Sequence, residues 1–197
     1  MRTHISFSVV AITLSLVVAC VDHRPGSVDV HVLKDQSRES NQLPSADRAS
    51  PEDQYQLGMR HEKGIAMPQS YSEAVRWYRL SAMQGNSDAQ YRLCEMSERG
   101  QGLPQDSQEA LRWCGLAADQ GHGGAMFMLG RLYHAAPHGV AQDFVRAHIW
   151  YNLAAAHGYN NGKKWRDRLA DDMSRSQIAE AQKLAREWSV RMSARQS

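Results

Sequence analysis

The sequence predicts an all-α fold of stacked helical hairpins, and three recurring features carry this prediction. A Leu-Gly or Leu-Cys pair, a downstream Trp and a closing Gly each return at an interval of 36 or 37 residues. The recurring positions are Leu57, Leu93 and Leu129, then Trp77, Trp113 and Trp150, then Gly85, Gly121 and Gly158. A fixed period in this range is typical of helical hairpins that pack side by side in an array.

Residues 1–19, which precede a cysteine, are typical of an export signal. Arg2 precedes an apolar run from Ile5 to Ala19, which is shorter than the roughly 20 residues of a membrane-spanning helix. The small and β-branched residues before Cys20 resemble the lipobox of bacterial lipoproteins, so we expect cleavage before Cys20 and a lipid anchor on it. Because Val21 and not Asp follows, the resemblance implies the outer membrane, with the protein facing the periplasm. The alternative is an ordinary cleaved signal and a soluble periplasmic or secreted protein.

Residues 20–50 are predicted to be a flexible tether. This stretch contains several Pro, Ser and Asp residues and no aromatic side chain, so it offers too little apolar area to offset the entropy of ordering. A flexible chain of this length has a mean reach of about 30 Å. The whole chain carries a formal net charge of +2, which is too small to indicate a nucleic-acid partner.

Each copy of the repeat is predicted to fold as two helices joined by a short connector. In the first copy, one helix spans about residues 52–63 and ends at Gly64, and Ser70 caps the start of the second helix. Gly58 and Ala74 lie where the two helices cross, and their small size allows a close approach. The apolar stripe of the second helix consists of Ala74, Trp77, Tyr78, Ser81 and Ala82. We predict that this stripe belongs to the core.

The same pattern is fullest in the third copy, at Gly139-Val140, Asp143, Ala147 and Trp150 to Gly158. These residues together resemble the Sel-one-like repeat, a relative of the tetratricopeptide repeat. Three copies fit, at 54–88, 89–124 and 125–161, and we place the repeat array at residues 51–162. The resemblance implies a right-handed α-solenoid that acts as a scaffold or adaptor for protein–protein contacts. It implies a non-enzymatic protein without a cofactor, whose partner is an unknown envelope protein or peptide.

Residues 163–197 are predicted to form a pair of capping helices. Lys163 to Asp172 can form one helix, and Ser174 with Gln177 makes a capping box for the next. The second helix of this pair then presents one apolar face, made of Ile178, Ala181, Leu184, Ala185 and Trp188. A stacked array leaves its last hydrophobic face open, and we expect this pair to cover it.

Two cysteines replace the usual residues of the repeat in the second copy. Cys94 stands at the glycine position of the other copies, and Cys114 stands at their tyrosine position. These positions lie on opposite helices of one hairpin, at the level where the helices pack closest. In an exported protein we expect the two thiols to form a disulfide. Two buried free cysteines are the alternative.

The sequence lacks the signatures of catalysis and of metal binding. It contains no G-x-S-x-G motif, and no Ser is followed by a Lys three residues later. His61-Glu62 has no second His at the spacing that a zinc site needs, so no metal site is predicted. Some cysteine-rich relatives are credited with β-lactam hydrolysis, so a weak cell-wall or β-lactam hydrolase is an alternative. A component of exopolysaccharide export is another.

A candidate binding groove is predicted on the first helix of each hairpin. Three rings recur there at a period of 36, and one turn further on lie side chains that differ in charge between copies. The ring positions are Tyr55, Tyr91 and Phe127, and the variable positions are Met59, Glu95 and Arg131. By analogy with tetratricopeptide arrays, these helices line the concave side, and such a ladder suits an extended peptide. The alternative is that the rings only pack between neighbouring hairpins.

Overall fold

The computed structural model describes residues 49–137 and 139–196, with side chains up to residue 194, and this part of the chain forms eight α-helices and no strand. The helices are α1 (Pro51–Lys63), α2 (Tyr71–Met83), α3 (Ser87–Arg99), α4 (Ser107–Asp119), α5 (Gly123–Ala135), α6 (Phe144–Ala156), α7 (Asn160–Ala170) and α8 (Arg175–Gln196). The all-α prediction is confirmed. The predicted signal peptide, Cys20 and nearly all of the predicted tether lie outside the described residues.

The first six helices pair into three hairpins, α1 with α2, α3 with α4, and α5 with α6. Each hairpin packs on the next, since α2 contacts α3 and α4 contacts α5. We call α1, α3 and α5 the first helices, and α2, α4 and α6 the second helices. Buried side chains form two clusters, and Trp113 on α4 packs against both of them. The core is therefore continuous along the array, as the repeat pattern predicts.

The residues that cap the first helices also connect neighbouring hairpins. Ser50, Asn86 and His122 follow one another at intervals of 36, and each accepts a hydrogen bond from a backbone N–H three residues further on. The Asn86 side chain also donates to Glu52 of the previous first helix, over 3.3 Å. In the same way, Nε2 of His122 lies 3.1 Å from a carboxylate oxygen of Asp88. One side chain thus caps its own helix and binds the preceding hairpin.

In the first and third hairpins, the close approach of the two helices depends on a glycine that faces a tyrosine ring. A Cβ at Gly58 would lie 2.6 Å from the ring of Tyr78, and one at Gly130 would lie 2.5 Å from the ring of Tyr151. Both tyrosines are fully buried. The absence of a side chain on the first helix is therefore what makes room for the ring on the second.

The second hairpin joins its helices covalently at the same level. Cys94 on α3 and Cys114 on α4 form a disulfide with an S–S distance of 2.06 Å and Cα atoms 5.3 Å apart. Both residues are fully buried. The bridge expected from the sequence is therefore present, and the alternative of two free thiols does not describe this hairpin.

The first helices end at a residue with left-handed backbone. Gly64 after α1 has a φ of 68°, and Gly100 after α3 has a φ of 67°. After α5 the same position is held by Ala136, with a φ of 49°. Glycine adopts this conformation freely, whereas the Cβ of alanine makes it unfavourable. The third connector therefore has a strained alanine at a position where the first two have glycine, although the first connector also holds Ala66 in left-handed backbone, with a φ of 60°.

The last two helices both pack against α6. Helix α7 begins at Asn160, three residues earlier than predicted, and a Cβ at Gly162 would lie only 2.7 Å from the carbonyl oxygen of Tyr151. The absence of a side chain at Gly162 therefore allows α7 to lie directly against the backbone of α6. The predicted capping box before α8 is present, because Ser174 and Gln177 exchange two hydrogen bonds, of 2.9 and 3.3 Å.

The apolar face of α8 covers the second helix of the last hairpin. Ala181 and Ala185 are fully or almost fully buried. The indole of Trp188 meets that of Trp150 edge to face, with ring centroids 5.6 Å apart. Burial of this kind removes the apolar surface of α6 from water, which is the role that the end of a stacked array requires.

Candidate functional site

The six residues of the predicted groove lie on the three first helices, two on each helix and one turn apart. Phe127 is buried, Tyr55 and Tyr91 are half-buried, and Arg131 is exposed. The structure thus places the predicted residues along successive helices. Partner binding at these residues stays a prediction.

The three predicted rings all pack on other rings of the chain. Tyr55 lies against Tyr78 of its own hairpin, with centroids 5.7 Å apart. Tyr91 stacks on His122 of the next hairpin at 4.6 Å. Phe127 contacts Tyr159, just before α7, at 4.9 Å. Tyr91 and Phe127 thus contact the element that follows their own hairpin, whereas the Tyr55 ring contact lies within its own hairpin.

In the first hairpin, a carboxylate of α1 accepts a hydrogen bond from a tyrosine of α2. The hydroxyl of Tyr78 donates to Oε2 of Glu62 over 2.5 Å. Burial, and then this hydrogen bond, raise the pKa of Tyr78 well above its ordinary value. Arg92 of α3 lies near this pair. Burial alone would lower the pKa of Arg92, but its hydrogen bond with Tyr55 and the charge of Glu62 have the larger effect. The pKa of Arg92 is therefore raised above its ordinary value. Glu62 therefore already has a hydrogen-bond donor within the chain, in Tyr78.

In the second hairpin, Glu95 is neutralised by two arginines of the same helix. It lies 3.1 Å from Arg92 and 3.3 Å from Arg99. Burial, and then the charge of Glu95, raise the pKa of Tyr91 above its ordinary value. The disulfide replaces the tyrosine here, so α4 contributes no hydroxyl at this level.

In the third hairpin, a cavity of about 390 Å³ lies between α5, α6 and α7, at the level where the first two hairpins carry Glu62 and Glu95. Its lining residues are Arg131, His134, Ala135, Gln142, Tyr151 and Trp165. Arg131 makes no ion pair with any described residue, and its one hydrogen bond goes to the sulfur of Met128 at 3.4 Å. The cavity therefore has an exposed guanidinium without an acidic neighbour among those residues.

The tyrosine of this cavity has a weakly engaged hydroxyl. The oxygen of Tyr151 lies 3.4 Å from Nδ1 of His134, which is longer than a good hydroxyl hydrogen bond. Burial raises the pKa of Tyr151 to about 12, against the opposing effect of the positive charge of Arg131. The hydroxyl is consequently a neutral donor at physiological pH.

Sequence reasoning found one residue of this cavity and missed the others. Arg131 is predicted because the side chain at this position differs in charge between copies. Tyr151 and His134 could have been found by aligning the copies, because they stand at the positions of Tyr78 and Glu62. Trp165 could not, since it comes from α7, outside the three copies.

Two negative observations apply to residues 49–137 and 139–196. This part of the chain contains no group of three or more His, Cys, Asp or Glu residues placed to hold a metal ion. Its helices also include none with the length and hydropathy of a membrane span.

Comparison with known proteins identifies the repeat. A family model of the Sel1 repeat matches residues 51–86, 87–122 and 124–159. Among solved structures, a protective antigen present in uropathogenic Escherichia coli strains, which displays an SLR fold, is 37% identical over 55% of this chain and 23% of its own, with a TM-score of 0.53. A Sel1 repeat protein from Oxalobacter formigenes is 29% identical over 68% of this chain and 56% of its own, with a TM-score of 0.56. This chain therefore spans less than two thirds of either protein. A search of curated proteins found no match.

Proposed function

Because this chain belongs to the Sel1-repeat family, we propose that it is a non-enzymatic scaffold that holds a protein or peptide partner at the bacterial envelope. Sel1-repeat proteins are generally scaffolds for protein–protein interaction. The observation that carries the proposal is the stacked array, in which successive first helices bear different side chains at equivalent positions, namely Met59, Glu95 and Arg131. Such a surface favours one extended partner in one register.

The envelope location is supported by the sequence before the array. The apolar run that ends at Ala19 and the cysteine that follows it fit a lipoprotein signal. Acyl chains on Cys20 would each contribute about 0.8 kcal/mol per buried CH₂ group, so several chains give a firm anchor. Residues 21–50 would let the helical array stand away from the membrane.

The scaffold role is tested by photo-crosslinking in intact cells. A photoreactive phenylalanine analogue replaces Met59 on α1 or Ala135 at the end of α5, and covalent products are identified by mass spectrometry. We expect the same discrete partner from both positions, because both lie on first helices. The control position is Met83 on α2, which is 79% exposed and should give no such product. An equal yield from all three positions, or no product from any, would contradict the proposal.

The anchor is tested separately with Cys20→Ser. The parent chain should incorporate a labelled fatty acid and sediment with the outer membrane, whereas the serine variant should do neither. If the parent incorporates no fatty acid, the anchor proposal is wrong and the alternative of a cleaved soluble protein takes its place.

A further inference from the structure

Helix α8 covers the side of α6 that faces away from α7. Gly162 of α7 lies against the backbone of α6 at Ala155. Leu153 is two residues from Ala155, so its side chain points about 200° away, to the opposite side of α6. Leu153 is nevertheless only 2% exposed, and it shares a buried cluster with residues of α8. Beside it, Trp150 meets Trp188 of α8 edge to face.

The same side of α4 carries matching apolar side chains and is open. The counterparts of Trp150 and Leu153 are Trp113 and Leu116, 37 residues earlier. Leu116 is 49% exposed, and Trp113 is half-buried. Among the described helices, α4 packs closely only on α3 and α5. Helix α4 therefore exposes the kind of surface that α6 buries under α8.

One position of this surface differs in charge between the two helices. Ile149 of α6 is replaced on α4 by Arg112, which is exposed and forms no ion pair with a described residue. Glu109, one turn before it, is already engaged, because it lies 3.3 Å from Arg79 of α2 and accepts a hydrogen bond from the Trp113 indole over 3.2 Å. We call Arg112, Trp113 and Leu116 the outer face of α4.

The outer face of α4 is shaped to receive a side chain. A cavity of about 260 Å³ lies among Glu109, Arg112, Trp113 and Leu116. The hydrogen bond to Glu109 fixes the Trp113 indole, so the wall of this cavity is preorganised. Tryptophan and arginine are the residue types that most often dominate the binding energy of an interface. On α2 the counterpart of the arginine, Arg76, lies 3.6 Å from Glu73, so its charge is already compensated.

We propose that the outer face of α4 binds an amphipathic α-helix of a partner protein, with an acidic side chain of that helix paired to Arg112. The occupant is a helix because α8 covers the equivalent surface of α6, with Ala181 and Ala185 buried one turn apart. The acid follows from charge complementarity with an unpaired guanidinium. This inference rests on the proposed scaffold function, and it adds a second surface and the chemistry of the partner that binds there.

A second copy of this chain does not fit the outer face of α4. The apolar face of its α8 is already buried on its own α6. The exposed side of α8 carries Arg175 and Arg186, which would bring like charges against Arg112. The helix that fits therefore belongs to a different protein.

The direct test is a titration of the isotope-labelled full chain, in detergent, with three peptides made from residues 175–194, at concentrations corrected for uptake by detergent alone. The first peptide has the native sequence of α8. The second, the acidic peptide, carries Arg175→Glu and Arg186→Glu. The third adds Ala185→Glu to the acidic peptide and so interrupts its apolar stripe. The readout is the indole N–H resonances of Trp113 and Trp150, assigned with phenylalanine variants.

The acidic peptide should cause a saturable shift of the Trp113 resonance. We expect at least tenfold weaker binding of the native-sequence peptide, because its charge opposes that of Arg112, and no binding of the interrupted peptide. Equal affinity of the acidic and native-sequence peptides, or no shift at Trp113, would overturn the proposal. A shift at Trp150 alone would mean that the peptide replaces α8 on α6, and it would overturn the proposal as well.

Matched variants attribute the binding to the outer face of α4. Arg112→Gln should weaken binding of the acidic peptide at least tenfold, because a charge-assisted pair is lost. Arg112→Ile gives α4 the residue of α6 and should remove the preference for the acidic peptide. Arg76→Gln removes an equal charge from an exposed position on α2 and should leave binding unchanged. Parental affinity in Arg112→Gln, or an equal loss in Arg76→Gln, would exclude this surface as the site.

The crosslinking experiment separates the two proposals. If Met59 and Ala135 capture one discrete partner but the acidic peptide gives no shift at Trp113, the assignment of the outer face of α4 fails and the scaffold function stands. If the acidic peptide binds at Trp113 while Met59 and Ala135 capture nothing, the scaffold proposal fails on the first helices and the outer face of α4 remains a binding surface.

Discussion

The second hairpin differs from the first and third at the point where its two helices are closest. The outer hairpins place a glycine of the first helix against a tyrosine ring of the second, whereas the middle hairpin joins Cys94 to Cys114. Both arrangements fill the same space, but only the covalent one depends on an oxidising compartment. The comparison shows that the closest point of the two helices can be filled in two ways, by a glycine–tyrosine contact or by a disulfide.

The choice between these solutions also changes the surface of the first helices. A tyrosine carries a hydroxyl that reaches past the glycine, to Glu62 in the first hairpin and towards His134 in the third. A disulfide has no such group. The hairpins with a tyrosine therefore carry a buried hydroxyl at this level, whereas the second helix of the hairpin with the disulfide carries none there.

Removal of the disulfide is expected to have the largest effect on stability. Cys94→Ala combined with Cys114→Ala removes a bridge across a sequence separation of 20 residues. The free energy of unfolding should fall by about 3 kcal/mol, because the unfolded chain gains conformational freedom. Urea denaturation of the full chain measures the difference. An unchanged unfolding midpoint would show that the covalent link does not hold this hairpin together.

A companion variant makes the comparison between hairpins direct. Cys94→Gly with Cys114→Tyr gives the middle hairpin the glycine–tyrosine pair of the other two hairpins. This variant should recover much of the free energy of unfolding that the double alanine variant loses. Reductant should then destabilise the parent protein and leave this variant unaffected. A variant as unstable as the double alanine would mean that the two solutions are not interchangeable.

The next largest effect is expected where the glycine of a tyrosine hairpin is filled. Gly130→Ala places a Cβ 2.5 Å from the ring of Tyr151, and we expect a loss of about 1–3 kcal/mol from overpacking. The control is Gly115→Ala on α4, where no atom lies within 4 Å of the added Cβ. That change should be neutral or stabilising by up to about 1 kcal/mol, because alanine is the better helix former. Similar urea midpoints for the two variants would contradict the steric explanation.

The repeat period predicts the hairpins well because their determinants are local. Caps such as Asp106 and Asp143, and the small residues at the crossing, act within one hairpin and recur with it. The disulfide was predictable for the same reason, since both cysteines replace residues that the other copies place in contact.

Contacts that cross between repeats could not be predicted in this way. The stacking of Tyr91 on His122 and the position of Trp165 beside Arg131 depend on how one hairpin sits on the next. Helix α7 also begins earlier than predicted, because Gly162 lets it approach the backbone of α6. The single-copy pattern contains none of this information, and the candidate cavity is built from such contacts.

A smaller effect, which depends on pH, is expected from His148 on α6. The first two hairpins have Val75 and Leu111 at this position. His148 is 2% exposed, and its Nδ1 has no hydrogen-bond partner among the described residues. Burial, and then the charge of Arg166, lower the pKa of His148 below its ordinary value of 6.5, against the opposing charge of Asp167.

Because the pKa of His148 is lower in the folded state, the unfolded chain takes up the proton first as pH falls. The part of the free energy of unfolding that is linked to His148 is therefore fully present above pH 6.5. It is lost as the pH falls from 6.5 towards the lower pKa that His148 has in the folded protein. His148→Leu should remove this acid-dependent loss and add about 1 kcal/mol near neutral pH, since it removes an unpartnered polar atom. Urea midpoints of both proteins at neutral and mildly acidic pH measure this. An equally steep loss in the leucine variant would assign the pH dependence to other groups.

The smallest effect is expected at the end of α5, where the third hairpin again departs from the other two. Ala136→Gly places glycine at the left-handed position that Gly64 and Gly100 hold in the first two connectors. The relief of the Cβ contact should stabilise the fold by about 1 kcal/mol or less, because glycine also gains freedom in the unfolded chain. For a chain of this size, calorimetry should show a melting temperature higher by roughly 2–4 °C at most. The reciprocal change Gly100→Ala should lower it, and a shift of the same sign in both variants would mean that the left-handed backbone is not the source of the difference.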